Sequence, residues 1–195
     1  MLDNQARNVV QKERMRLGQV RKSFAAGVEQ QAKGANLSIE FFGACVDYIR
    51  ASMDRLHAQD QRICDMLKPH VAAGDTQGAA TLENLNARLA RSRVALDALA
   101  KARDTYRAKG APGWADFKAE IDRFMDIYFN VLMKGQHSTI EMQQKLFSEK
   151  DWGFAAGVNE PALMNEATLF AVVRKFAPAG ADPASFQAGP PVLKP

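Results

Sequence analysis

The chain has 195 residues, 47% of them hydrophobic and 25% charged, which is enough to bury the core of one domain. No apolar run approaches the roughly 20 residues that a membrane-spanning helix needs, so the sequence contains no predicted span. Segments that alternate apolar and polar residues and are rich in Val, Ile and Thr are absent, which excludes a sheet protein. The composition therefore predicts an all-α fold.

The formal charge of +4 is concentrated in residues 1–37, which hold seven basic and three acidic residues. Such a segment either faces solvent or binds a nucleic acid, an anionic lipid surface or an acidic partner. It has no interleaved aromatic side chains to stack on bases, and Phe24 is its one aromatic anchor for a membrane surface. We therefore expect no nucleic-acid binding. We expect residues 2–32 to bind a protein partner or to form a homo-oligomer.

Apolar residues at spacings of three and four predict a first helix over residues 2–32 that ends near Gly34. Its apolar stripe is thin, so we expect it to pack on the outside of the other helices. Three parts are predicted: residues 1–37 as a basic N-terminal helix, 38–176 as a helical-bundle domain, and 177–195 as a flexible tail rich in Pro and Gly.

The second predicted helix, residues 38–68, has an apolar seam in which one position is occupied by Asp60. At about 100° per residue, Asp60 lies near the centre of the apolar arc, and His57 lies at its edge beside Cys64. Cys45 and Cys64 are in this same helix and too far apart to form a disulfide. Two unpaired cysteines and the lack of an apolar signal-peptide core predict a cytoplasmic protein.

Three further helical segments follow in the sequence. A third helix over residues 76–107 repeats the apolar seam, and a fourth runs from Trp114 towards Leu146 with an interruption at Gly135. After a predicted loop at residues 150–160, a shorter helix extends from Pro161 to about Phe176. Short links join these segments, so the predicted architecture is an up-down four-helix bundle with an N-terminal extension.

Folding the chain back at its tight links brings positions near 60, 86 and 134 to the same height in the bundle. His57 and His137 would then converge with Asp60, and Glu166 on the last helix lies within a few residues of this layer. Imidazoles and carboxylates that point inward from facing helices are the ligands with which bundles hold iron or manganese.

Two segments carry a resemblance to a known family. The run Arg55-Leu56-His57-Ala58-Gln59-Asp60-Gln61-Arg62 and the run His137-Ser138-Thr139-Ile140-Glu141 resemble the helices of hemerythrin-like (HHE cation-binding) domains. The resemblance covers about residues 38–175 and implies a four-helix bundle that holds non-haem iron. It implies metal ligands at His57, at His137 with Glu141, and with less direct correspondence at Asp60.

The chain departs from that family, because it has only three histidines and none in the third predicted helix. An oxygen-carrying di-iron centre is therefore not expected. A site with more carboxylates, a mononuclear site that holds iron or manganese, and a bundle that has lost its metal are all left open.

Each candidate ligand also has a structural interpretation. Ser138 and Glu141 form the Ser-x-x-Glu pattern of a helix-capping box, which would leave His137 just ahead of the helix. His57 and Asp60 could form a buried hydrogen-bonded group, with Ser92 or an arginine, that fixes the register of two helices.

Two functions follow as hypotheses. The first is a metal-binding bundle that uses His57, Asp60, His137 and Glu141 for binding, sensing or storage. The second is a metal-free adaptor or oligomerisation protein that docks a partner through its N-terminal helix and tail. Phosphate-binding loops, nucleophile elbows and Cys-x-x-Cys pairs are absent from the sequence, which favours binding over catalysis.

Overall fold

The computed structural model describes residues 2–133, 137–157 and 159–186, and it omits the side chains of residues 2–11, 13, 14, 133, 137, 138, 149 and 156. Within these ranges the chain is helical and contains no strand, which confirms the all-α prediction. The α-helices are α1 (Leu2–Ala32), α2 (Ile39–Leu67), α3 (Thr76–Lys109), α4 (Trp114–Ile127), α5 (His137–Leu146), α6 (Glu149–Ala156) and α7 (Glu160–Phe176).

Local sequence signals set the helix ends. The hydroxyl of Ser38 accepts a hydrogen bond from the Glu40 amide at the start of α2, and Asp75 caps α3 through the Gly78 amide. Gly110 ends α3 with a φ of +65°, a left-handed conformation that favours glycine. After α4 the chain continues as a π-helix, Tyr128–Met133, ahead of the interruption predicted at Gly135.

The main core is an aromatic cluster to which four helices each contribute a ring. Phe24 of α1 lies 6.2 Å from Phe42 of α2 and 6.4 Å from Phe117 of α4, measured between ring centroids. Tyr106 of α3 stacks on Phe117 at 5.3 Å. The second half of α1 is therefore part of the core, which corrects the expectation that this helix packs on the outside.

Two more segments differ from the sequence prediction. Residues predicted as a loop contain α6, whose start is a capping box: the Ser148 hydroxyl accepts from the Asp151 amide, and the Asp151 carboxylate accepts from the Ser148 amide. The predicted flexible tail is packed against α1 over residues 177–186, where Ala181 is fully buried. Its remainder, residues 187–195, lies outside the described residues.

Side chains of α1 hold this C-terminal segment by its backbone. The Ser23 hydroxyl donates to the carbonyl oxygen of Ala181 at 2.5 Å, and the Gln19 and Gln30 amides donate to the carbonyls of Phe186 and Ala179.

None of the helices in the described ranges combines the length and the apolar character that a bilayer span requires.

The position of Phe24 gives a stability prediction. Phe24→Ala should lower the free energy of unfolding by about 3–5 kcal/mol, because it removes a buried ring and leaves a cavity among four helices. Met15→Ala on the same helix, where the side chain is 39% exposed, should cost much less. Chemical denaturation of both variants measures the difference, and similar losses would contradict a core role for α1.

Candidate functional site

The residues that the sequence singles out on α2 divide between two sides of that helix. His57 is 2% exposed, and its Nε2 lies 2.9 Å from the hydroxyl oxygen of Ser92 on α3. Within the described part of the chain the other ring nitrogen, Nδ1, is buried and has no hydrogen-bond partner. The structural alternative to a metal ligand, a His57–Ser92 hydrogen bond between helices, is present in the structure.

Asp60 occupies a different environment from the one that its helical position predicts. It is half-buried and not at the centre of the core, and its charge raises the pKa of Arg88 on α3, although burial of that guanidinium lowers the pKa more strongly. His57 is the more buried of the two, the reverse of the prediction. The reason is that α2 is covered by α3 on one side and by α7 on another, which a single helical wheel does not include.

Contacts along α2 and α3 define the register of this antiparallel pair. Arg50 pairs with Asp97 at 2.7 Å, His57 contacts Ser92, and the Cys64 thiol donates to the Asn86 side-chain oxygen at 3.6 Å. The sequence prediction placed position 60 beside 86. The observed register brings Cys64 there instead, about one helical turn away.

Glu141 lies at another level of the molecule. It is exposed and lines a groove with Lys145 and with residues 75–81 at the start of α3. Thr81 precedes Ser92 by eleven residues, which corresponds to about 16 Å along α3 at roughly 1.5 Å per residue. The structure therefore does not bring Glu141 to the layer of His57.

The predicted metal ligands can be compared with what a metal requires. The side chain of His137, like that of Ser138 in the alternative capping box, lies outside the described residues. Among the side chains that are described, no group of three or more His, Cys, Asp or Glu residues is gathered around a common point. A metal at His57 Nε2 would have to displace Ser92, and the iron or manganese site stays a prediction.

Among the side chains that the structure describes, the most deeply buried ion pair joins α2 to α7 and contains Glu166. This carboxylate is 1% exposed and accepts hydrogen bonds from the Arg55 Nε and Nη2 atoms, the latter at 3.2 Å. The Ser52 hydroxyl donates to it at 2.8 Å. The sequence predicts that Glu166 lies near the layer of His57 but does not indicate its partners. The signal it offers is a single acid on the packed face of a largely apolar helix.

His57 sits in an environment that disfavours its charged form. Burial lowers its pKa below the ordinary value of 6.5, and the positive charge of Arg93 lowers it further, while Asp54 acts in the opposite direction. The ring is therefore neutral at neutral pH. A neutral imidazole can donate from one nitrogen and accept at the other, which suits a hydrogen bond with a serine hydroxyl.

Comparison with known proteins finds no match to this chain among protein-family models, curated proteins or solved structures. The hemerythrin-like resemblance therefore stays a prediction.

The depressed pKa of His57 predicts a pH-dependent stability. In the unfolded chain His57 takes up a proton near its ordinary pKa of about 6.5, whereas the folded protein binds that proton only at lower pH. The free energy of unfolding should therefore fall as the pH is lowered from about 7.5 towards 5. Denaturation of His57→Gln should show a shallower fall than the unchanged protein.

A control for that experiment is Val94→Ser, because Val94 is exposed on α3 and its side chain does not titrate. It should keep the pH dependence of the unchanged protein. Equal slopes for the unchanged protein and His57→Gln would show that His57 does not carry this dependence.

The buried ion pair predicts a large effect of one substitution. Glu166→Gln should lower the free energy of unfolding by about 3–5 kcal/mol, because it leaves the guanidinium of Arg55, 10% exposed, without a counter-charge. Asp97→Asn breaks an exposed pair, since the side chains of Asp97 and Arg50 are 66% and 43% exposed. This substitution should lower the free energy of unfolding by at most about 1 kcal/mol.

A double variant separates the unpaired charge from lost packing. Arg55→Met combined with Glu166→Leu should be more stable than Glu166→Gln, because no buried charge remains. A double variant that is as unstable as Glu166→Gln would attribute the loss to packing instead.

Proposed function

We propose that this protein is a helical docking protein that binds an acidic, amphipathic segment of a partner protein. The observation that carries the proposal is a concentration of exposed apolar side chains in residues 146–164. Leu146, Trp152, Phe154 and Met164 are 38%, 38%, 63% and 72% exposed. Two of these four, Trp152 and Phe154, lie on the short helix α6, and exposed large apolar side chains are typical of interaction sites.

The docking surface consists of α6 together with the first half of α1, which contact each other. Gly27 of α1 packs on Phe41 at the start of α2, whereas Arg62 near the end of α2 packs on Gly157 just after α6. Because α1 and α2 are joined by a short link and run antiparallel, α6 lies beside the beginning of α1. Aromatic Trp152 and Phe154 are thus next to a helix that contains six basic and three acidic residues.

The charge of this helix indicates the chemistry of the partner. Residues 2–16 contain four basic and two acidic residues, and Lys12 among them is exposed. A partner helix with apolar residues on one face and carboxylates beside them would bury Phe154, the more exposed aromatic side chain of α6, while its acids pair with exposed Lys12. Association would then weaken as salt is added.

The structure also bears on the alternative docking through the N-terminal helix and the tail. Residues 19–30 of α1 and residues 179–186 are bonded to each other, so these segments are engaged within the chain. We therefore place the docking surface on α6 and the first half of α1, and not on the tail.

Two buried, unpaired cysteines agree with a reducing, cytoplasmic location for this protein.

Internal pairing of the buried polar residues supports a binding function over catalysis. His57 contacts Ser92, and Arg55 contacts Glu166, so these groups hold helices together. His57 and Glu166 are also 2% and 1% exposed, so a substrate could not reach them in this packing.

Fluorescence anisotropy with a designed probe tests the proposal. The probe is a labelled peptide of Leu and Glu at helical spacing, and the matched control peptide has Lys in place of Glu. The unchanged protein should bind the Glu peptide and not the Lys peptide. Trp152→Ser combined with Phe154→Ser should weaken binding at least tenfold or so, because it removes two aromatic anchors.

Val94→Ser is the matched control, because Val94 is 70% exposed but lies on α3. It should leave the affinity unchanged. Equal binding of the two peptides, or full affinity in the double variant, would overturn the proposal. Sedimentation that detects self-association through Trp152 and Phe154 would also overturn it, because the occupant would then be a second copy of the chain.

A further inference from the structure

A groove of about 360 Å³ lies between α2 and the beginning of α7. Its α2 wall includes Ala51, Ala58 and Arg62, and its α7 wall includes Ala162 and Asn165. A volume in this range is typical of sites for small molecules. No residue of the groove belongs to the docking surface of α6 and the first half of α1.

Arg62 is the unusual residue of the groove. It has neither an acid nor a hydrogen-bond acceptor as partner in the described ranges, and its Nε atom is buried. Its guanidinium packs directly on Gly157, where a Cβ atom would lie 2.8 Å from Nη2. Because Nε is closed off beside Gly157, a ligand in the groove would reach the two Nη groups, which can each donate a hydrogen bond to it.

The other charged side chains that line the groove are one cation, Arg55, and one acid, Asp54. Arg55 is paired with Glu166, and Asp54 lies 4.0 Å from Arg50 on its own helix. The start of α7 is closed as well, because Asn159 accepts from the Ala162 amide and Pro161 has no amide hydrogen. Arg62 is therefore the cation that remains available to a ligand.

The surroundings of Arg62 define the class of ligand. A guanidinium binds a carboxylate with two parallel N–H donors, and one uncompensated cation matches one negative charge better than two. The methyl groups of Ala51, Ala58 and Ala162 provide an apolar wall, and the Asn165 amide can donate a further hydrogen bond. We infer that this groove binds a small monocarboxylate with a short aliphatic chain, whose carboxylate pairs with Arg62.

Titration with sodium butyrate, followed by nitrogen-15 NMR of the full chain, tests this inference. The Nε–H signal of Arg62 and the amide signal of Gly157 should shift in a saturable way. Arg62→Met should weaken butyrate binding about tenfold or more, because it removes a charge-assisted bidentate contact. Arg62→Lys, which keeps the charge but not the paired donors, should give an intermediate loss.

Two further ligands and one variant provide the controls. Butanamide has the same chain without the charge and should bind much more weakly than butyrate, and inorganic phosphate should not displace butyrate. Arg91→Met, at an exposed arginine of α3, should bind butyrate normally. Thermal melting confirms that each variant is folded.

Three results would overturn the inference. They are equal butyrate binding by Arg62→Met and the unchanged protein, equal binding of butanamide and butyrate, and tighter binding of phosphate than of butyrate. Loss of the aromatic side chains Trp152 and Phe154 should not alter butyrate binding, so this test and the peptide test can fail independently.

Discussion

The buried carboxylate of Glu166 is the constraint on which the packing of α7 depends. An ionised carboxylate that is 1% exposed requires a counter-charge and hydrogen-bond donors, since its desolvation costs several kcal/mol. Arg55 and Ser52, one turn apart on α2, supply both. Because these donors are fixed on one helix, α7 can satisfy Glu166 in one register only. The C-terminal residues then follow α7 back onto α1, where Ser23 holds Ala181.

On the other side of α2, His57 and Ser92 perform the corresponding function towards α3. Their hydrogen bond lies between two apolar clusters, one with Met53 and Leu96 and the other with Ile63 and Leu89. An apolar seam allows two helices to slide by a turn at modest cost, whereas a buried polar pair fits one register. The pair Arg50–Asp97 supports the same register at the surface. Polar groups within the stretch from Met53 to Cys64 thus position α2 against its neighbours.

How far the sequence predicts this arrangement depends on how local each signal is. The seam of α3, from Leu82 to Tyr106, and the capping of α2 by Ser38 are visible in the sequence, because periodicity and caps are local. The core position of Phe24 is not visible there, because the apolar stripe of α1 is thin and the burial of Phe24 depends on rings from two other helices, α2 and α4. The helix at Glu149–Ala156 could have been found from Ser148 and Asp151, since a capping box with Asp works like one with Glu.

The positions of the candidate ligands were predicted less well, because they depend on how the helices pack on one another. A helical wheel of α2 places Asp60 at the centre of the apolar arc, but it does not include the helices that pack on either side. The predicted register of α2 and α3 differs from the observed one by about one turn. Position 60 therefore lies near Arg88 and not beside Asn86, which contacts Cys64. The level of Glu141 depends on the π-helix Tyr128–Met133, which has no sequence period that fixes the height of the residues after it.

The contrast between Arg55 and Arg62 explains why the chain has both a rigid interior and an open groove. These residues are seven positions apart on α2 and therefore lie on the same face of the helix. Glu166 of α7 forms an ion pair with Arg55. In the antiparallel α7, the residue seven positions before Glu166 is Asn159, which is neutral and already caps the helix through Ala162. An acid at that position would have closed the groove with a second buried ion pair. With asparagine there, the charge of Arg62 has no counterpart on α7 and remains available to a carboxylate from solution.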